Sequence, residues 1–152
     1  MNVTVIVLLG IVGVVLLVVG IVVLAKVMVN RLSSSSQSAI EEQFVDSSIV
    51  KSDPMANFFG LGSKGGAQVR GNGALVLTDS ELWFRRIGSA TALRIPLQDI
   101  SGVDVTRSHA GKTVGRSLLR VQFRMATVTD SVAWLVENPE SWVHAINGDK
   151  TP

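Results

Sequence analysis

The side chains whose types and spacing favour chemistry lie between residues 107 and 124. Within ten residues this segment holds four cationic or titratable side chains and two glycines: Arg107, His109, Lys112 and Arg116, with Gly111 and Gly115. Glycine lets the backbone approach an anion closely, and arginine and lysine supply charged donors. Arg120 and Arg124 extend the basic set. The segment predicts a site for an anion or a lipid headgroup, with an exposed basic turn as the alternative.

The same segment also suggests nucleotide binding, but the spacing of its glycine residues argues against that function. Gly111-Lys112-Thr113 resembles the end of a phosphate-binding loop. That loop requires glycine five residues before Gly111, where this chain has Thr106, and it must lead from a strand into a helix. Here strands are predicted on both sides, so nucleotide binding is not expected.

The sequence offers no catalytic or metal-binding set. It contains no cysteine, and its two histidines, His109 and His144, are 35 residues apart without a suitably spaced carboxylate. No Gly-x-Ser-x-Gly segment occurs. Asp99 and Asp104 could form a carboxylate pair, but no apolar pocket is implied around them. We therefore expect no enzymatic activity, no cofactor and no metal.

The clearest strand follows the basic segment, because apolar and polar residues alternate there. The alternating residues are Leu119, Val121, Phe123 and Met125 against Arg120, Gln122 and Arg124. A period of two predicts one buried face and one basic face. Residues 106–117, which precede it, are predicted to form a polar loop.

Shorter strands and one helix complete the predicted elements. The strands are residues 74–77, 81–87, 92–97, 100–105 and 131–136. The helix begins after Asn138, a suitable cap, with Pro139 at its first position, and ends at Gly148. The predicted class is α+β, mainly β.

Three segments occur in an order that resembles a known family. They are Gly73-x-Leu75-x-Leu77-Thr78-x-x-x-Leu82-x-Phe84, then Ile95-Pro96-Leu97-x-x-Ile100-x-x-Val103-x-Val105, then Asn138-Pro139-Glu140-x-Trp142. This order resembles a PH-like domain of the GRAM type over residues 66–148. The resemblance implies a bent antiparallel sheet or partial barrel with a C-terminal capping helix. It also implies binding of membrane lipid or protein, without chemistry.

Residues 3–25 carry no charge and, apart from Thr4 and three glycines, are Val, Ile, Leu or Ala. As a helix they would span about 34 Å, enough to cross a bilayer core. A cleaved signal peptide is the alternative, but no basic side chain precedes the run and Val27-Met28-Val29 lacks a small-residue cleavage site. We predict a retained transmembrane anchor within residues 1–30.

Flanking charges predict the orientation of this anchor. Lys26 and Arg31 follow the apolar run, and basic flanks remain cytoplasmic. The N-terminus is therefore expected outside the cell membrane and the C-terminal domain in the cytoplasm. Gly13 and Gly20 share a helix face and are candidates for packing against another helix, although glycine is also common in membrane helices.

Residues 31–65 are predicted to form a linker and a flap. The serine-rich stretch 31–38 has the composition of a flexible tether. Further along, the apolar side chains of Phe58, Phe59 and Leu61 lie among helix breakers. They either pack on the barrel or contact a partner or bilayer, where Arg70 would meet phosphate groups.

The charge distribution limits the partners. Residues 64–124 carry ten basic and four acidic side chains, whereas residues 39–53 and 130–150 are each net −3. Nucleic acid is not expected, because no aromatic-interleaved sheet motif accompanies the basic charge. The 152 residues thus predict a membrane-anchored, non-catalytic binding module, an adaptor or subunit of a membrane protein complex with a protein partner. The alternative is peripheral recognition of anionic lipid headgroups by the basic loop and strand face.

Overall fold

A computed structural model describes residues 2–44, 49–125 and 128–148. The elements are α1 (Val3–Gln43), β1 (Ile49–Leu61), β2 (Gly71–Thr78), β3 (Glu81–Arg86), β4 (Leu93–Pro96), β5 (Ile100–His109), β6 (Lys112–Met125), β7 (Val128–Leu135) and α2 (Pro139–Asn147). Short 3-10 segments, Gly62–Ala67 and Leu97–Asp99, precede β2 and β5. The strands form one antiparallel sheet in the order β4-β3-β2-β1-β7-β6-β5. The predicted α+β, mainly β class is confirmed.

The chain divides into two compact units between Ser35 and Ser36. The first unit is the apolar part of α1. Its described apolar side chains from Leu8 to Met28 are exposed, and the helix is long and apolar enough to cross a membrane. The predicted apolar N-terminal helix is therefore present.

The second unit begins with the last two turns of α1. Ser36, Ile40 and Phe44 follow one another at intervals of four and are buried. Ile40 and Phe44 pack on Ala74, Val76 and Trp83 of the sheet. The prediction of a flexible tether over residues 31–38 is wrong, because α1 continues through them to Gln43. Packing of an apolar face stabilises a helix that serine composition alone would not.

Strand β1 lies in the middle of the sheet, where it pairs with β2 on one side and β7 on the other. The prediction of a linker and a flap over residues 31–65 therefore misses β1, which lies within that range. Residues 45–48 of that predicted linker lie outside the described residues. Of the charged residues counted in the sequence, Asp46, Asp149 and Lys150 also lie outside them. The 3-10 segment Gly62–Ala67 and residues 68–70 form the actual connection to β2.

The main core lies on one face of the sheet. It extends from Ile95 of the edge strand β4 to Val121 of β6, next to the other edge of the sheet. Trp142 of α2 belongs to the same cluster and is 2 % exposed. Asn138 caps α2 by accepting a hydrogen bond from the Ser141 backbone N–H at 3.0 Å, as the sequence predicts.

Residues 106–117 form a bent hairpin rather than the predicted loop. Strand β5 continues to His109, and β6 begins at Lys112. The two turn residues, Ala110 and Gly111, have φ values of 48° and 75°. Positive φ at both positions is typical of a type I′ hairpin turn, and Ala-Gly is not its usual sequence. The polar composition therefore concealed the strand ends.

Candidate functional site

Three of the six predicted anion-binding side chains are held by structural contacts. His109 is 6 % exposed, with Nε2 3.0 Å from the Gly60 carbonyl oxygen. Lys112 donates to the carbonyl oxygens of Phe59, at 3.2 Å, and of Gln68. Arg120 donates from Nε to Asp104 Oδ1 at 2.8 Å and from Nη2 to the second carboxylate oxygen. The contacts of His109 and Lys112 hold the β5–β6 hairpin against the end of β1 and against Gln68, and the ion pair of Arg120 joins β6 to β5.

The remaining three, Arg107, Arg116 and Arg124, are exposed. Arg107 and Arg116 line one groove of about 390 Å³, together with Glu137 and Glu140 at the start of α2. Arg124 lies elsewhere, opposite Thr129 on β7. The six side chains therefore do not converge on a single anion site.

The predicted contact residues of the flap lie in β1. Phe59 is fully buried on the sheet face opposite the main core, with Leu118 and Ala133. Phe58 stacks on Phe84 with ring centroids 5.2 Å apart, and Leu61 packs on the main core. The expectation that Phe59 contacts a partner or a bilayer is wrong, because its side chain is enclosed. The alternative expectation of packing on the sheet fits these three residues.

The glycine face of α1 is open. A Cβ atom added at Gly13 or Gly20 would meet nothing within 4 Å in the described part of the chain. The structure therefore leaves room for a second helix at this face without supplying one.

A cleft of about 650 Å³ lies where the first half of β1, the end of β7 and the first turn of α2 meet. We name it the β1–α2 cleft. Its charged and aromatic lining consists of Lys51, Asp53, Arg70, Arg116, Glu137 and Trp142. Of these, the sequence predicts only Arg70 and Arg116 as candidate site residues. Lys51 and Asp53 lie in β1, a strand that the local sequence pattern does not predict.

Aromatic rings position two of the cations in this cleft. The Arg70 guanidinium carbon lies 4.5 Å from the centroid of the Phe59 ring, and Lys51 Nζ lies 5.5 Å from that of Trp142. A ring face attracts a cation without using its N–H donors. The donors of both side chains therefore remain available on the cleft wall.

Asp53 is the partly buried acid of the cleft. Burial raises the pKa of its carboxyl group, the hydrogen bond from the Met55 N–H at 2.8 Å opposes this, and the charge of Glu137 adds to the increase. A negative charge at Asp53 is thus less favourable than in water. The three basic side chains of the cleft, Lys51, Arg70 and Arg116, outnumber its two acidic ones, Asp53 and Glu137.

The titratable groups with perturbed pKa values have structural explanations. The hydrogen bond from Arg120 lowers the pKa of Asp104 and raises that of Arg120 itself. Within residues 2–44, 49–125 and 128–148, no three His, Cys, Asp or Glu side chains are grouped to hold a metal ion. The geometry of the described residues therefore supports binding of a ligand through charged hydrogen-bond donors.

Comparison with known proteins does not assign this chain to a family. No family model matches this chain, and no curated protein matches it.

Proposed function

We propose that this chain is a single-pass membrane protein whose sheet domain is a non-catalytic, PH-like binding module, acting as an adaptor or subunit of a membrane protein complex. The observation that carries the proposal is the apolar part of α1, whose described side chains are exposed. The seventeen exposed large apolar side chains between Leu8 and Val29 are unfavourable in water, and the helix that carries them is long enough to cross a bilayer core.

The architecture of the second unit supports the PH-like assignment. The resemblance implies a bent antiparallel sheet closed by a C-terminal helix, and the second unit has one antiparallel sheet of seven strands followed by a helix that packs into the main core. Membrane anchoring suits a binding role, because confinement raises the effective concentration of the domain at its partner and lets weak contacts suffice.

Lys26 and Arg31 favour a cytoplasmic location for the sheet domain, with the N-terminus outside. Two experiments test the anchor and its orientation. Alkaline carbonate should leave the full-length chain in the membrane pellet, and protease added to the cytoplasmic face should digest the sheet domain. Replacing Leu16 and Val19 with arginine should release the chain, whereas Leu16→Ile with Val19→Leu should not. Release of the unaltered chain by carbonate would refute the anchor.

The adaptor role needs its own experiment. Cross-linking in native membranes should join the sheet domain to one defined protein. Recovery of only homo-oligomers linked through α1 would contradict the adaptor role and favour self-association at the Gly13/Gly20 face.

Recognition of anionic lipid is the second candidate, favoured by the exposed Arg107 and Arg116 in one groove. A soluble form starting at Ser36 should then float with vesicles containing phosphatidylserine at low salt, and Arg107→Gln with Arg116→Gln should abolish flotation. Equal recovery with neutral phosphatidylcholine vesicles would exclude headgroup recognition.

A further inference from the structure

We propose that the β1–α2 cleft binds an extended acidic peptide segment of a partner protein. The inference rests on the proposed adaptor function and deepens it by naming the chemistry of the partner.

Three cations of the cleft have no anionic partner among the described residues. In the described part of the chain, ion pairs join Arg94 to Glu81 and Arg120 to Asp104, and neither pair reaches this cleft. Lys51, Arg70 and Arg116 have no carboxylate oxygen within 4.0 Å among the described residues. A side-chain carboxylate from outside the chain is the natural partner for such arginines, which bind it through two parallel hydrogen bonds.

Two of these cations are pre-organised by contacts with aromatic rings. Arg70 rests on Phe59, which is fully buried and fixed in β1, and Lys51 rests on Trp142, which is fixed in the main core. The aromatic supports restrict both cations before a ligand arrives. Less conformational entropy is then lost on binding than with free surface side chains.

The polar lining of the cleft favours a peptide over a simple anion. Beside the cations, the cleft presents the side-chain amide of Asn72, whose Oδ1 accepts a hydrogen bond from Asn57 Nδ2, and the carboxylates of Asp53 and Glu137. A peptide backbone offers both N–H donors and carbonyl acceptors, so it can use both kinds of group, whereas a phosphate offers mainly acceptors. Half-buried Met55 and Leu135 add apolar contact for neighbouring side chains.

The shape of the surface fits an extended segment. The cleft shares Arg116, Val136 and Glu137 with the groove that continues to Arg107 and Glu140. A ligand lying along this path would pass Arg70 in the cleft, Arg116 in the shared stretch and Arg107 in the groove. Specificity would then come from the spacing of its acidic side chains.

The test uses the full-length chain in dodecyl maltoside micelles, so that it depends neither on membrane insertion nor on a natural partner. The probe is a fluorescein-labelled peptide of sequence Ala-Glu-Ala-Asp-Ala-Glu, followed by fluorescence anisotropy. The neutral peptide Ala-Gln-Ala-Asn-Ala-Gln is the reference. We expect the acidic peptide to bind about tenfold more tightly than the neutral one, which is the effect of one charge-assisted contact.

Matched variants locate the binding. Arg70→Gln and Arg116→Gln should each weaken binding about tenfold. Arg124→Gln, an exposed strand position outside the cleft, removes the same charge and should leave the affinity unchanged. Glu137→Gln, also exposed, should tighten binding because it removes a negative charge from the cleft.

Three results would overturn the inference. The first is no binding of the acidic peptide at millimolar concentration, and the second is an equal effect of Arg116→Gln and Arg124→Gln. The third is displacement of the peptide by inorganic phosphate, or by phosphatidylserine in mixed dodecyl maltoside micelles, at matched charge concentration. A chain that resists carbonate extraction yet fails these measurements loses only the cleft assignment. A chain that binds the peptide but is released by carbonate loses only the anchor.

Discussion

At the scale of single residues, His109 shows how a predicted binding side chain becomes a structural one. Burial lowers the pKa of its imidazole, the hydrogen bond to the Gly60 carbonyl opposes this, and the charges of Arg120 and Lys112 lower it further, while Asp130 acts the other way. The neutral ring, with Nε2 as the donor to Gly60, fits this environment. Protonation is therefore easier in the unfolded chain than in the folded one.

This difference predicts a pH dependence. The unfolded state binds more protons once the pH falls below the ordinary histidine value of 6.5, so stability decreases from there down to the lowered pKa of the folded state. His109→Gln can keep a donor to Gly60 but does not titrate. Chemical denaturation at pH 7.5 and 5.5, followed by tryptophan fluorescence, should show a larger loss in the unaltered chain than in His109→Gln. Equal losses would contradict this assignment.

At the scale of elements, the cap of α2 is a feature that the sequence predicts correctly. Asn138, Pro139 and Gly148 mark both ends of the helix, and the structure begins and ends it at these positions. Asn138→Ala removes the acceptor of the Ser141 N–H and should reduce the free energy of unfolding by about 1 kcal/mol. Asn138→Ser restores an acceptor and should recover most of the loss. An alanine variant as stable as the unaltered chain, in urea unfolding, would disprove the role of the cap.

The end of α1 illustrates an element that composition misrepresents. Phe44 is 6 % exposed and meets Trp83 edge-on, with ring centroids 5.3 Å apart. Phe44→Ala should therefore cost about 3 kcal/mol and shift the fluorescence of Trp83 toward that of a solvated indole. The neighbouring exposed Gln43→Ala is the matched control and should change neither quantity. If the two variants unfold alike, docking of this helix end contributes nothing to stability.

These elements also separate what the sequence could predict from what it could not. Alternation in β6 and capping residues in α2 are local signals. The helix α2 forms as expected, whereas β6 forms over the alternating residues but begins earlier, at Lys112, and leaves Met125 exposed. The spacing of Ser36, Ile40 and Phe44 by four residues was an available helical signal that the serine run concealed. By contrast, the β1–α2 cleft depends on β1 meeting β7 and α2, which are about 80 residues away along the chain, and no local pattern encodes that contact.

At the scale of the molecule, β1 determines what can fold as a unit. It separates β4-β3-β2 from β7-β6-β5 in the sheet order, and these two groups both contribute to the main core. The boundary predicted at residue 66 leaves this strand out. Without β1, the ladder edges of β2 and β7 would both be unpaired, and Ala56 and Phe58 would be missing from the main core.

A fragment of residues 66–148 should therefore fail to fold, whereas residues 36–148, which keep β1 and the docked end of α1, should unfold cooperatively. Without β1, each of the two three-stranded groups exposes unpaired backbone donors and acceptors together with apolar core side chains. Such exposed strand edges promote aggregation. Near-ultraviolet circular dichroism and urea unfolding of both fragments make the measurement. A third fragment, residues 49–148, keeps β1 but lacks the end of α1. It should fold with a lower free energy of unfolding than residues 36–148. Cooperative unfolding of 66–148 would show that β1 is dispensable and would overturn the sheet order as the source of stability.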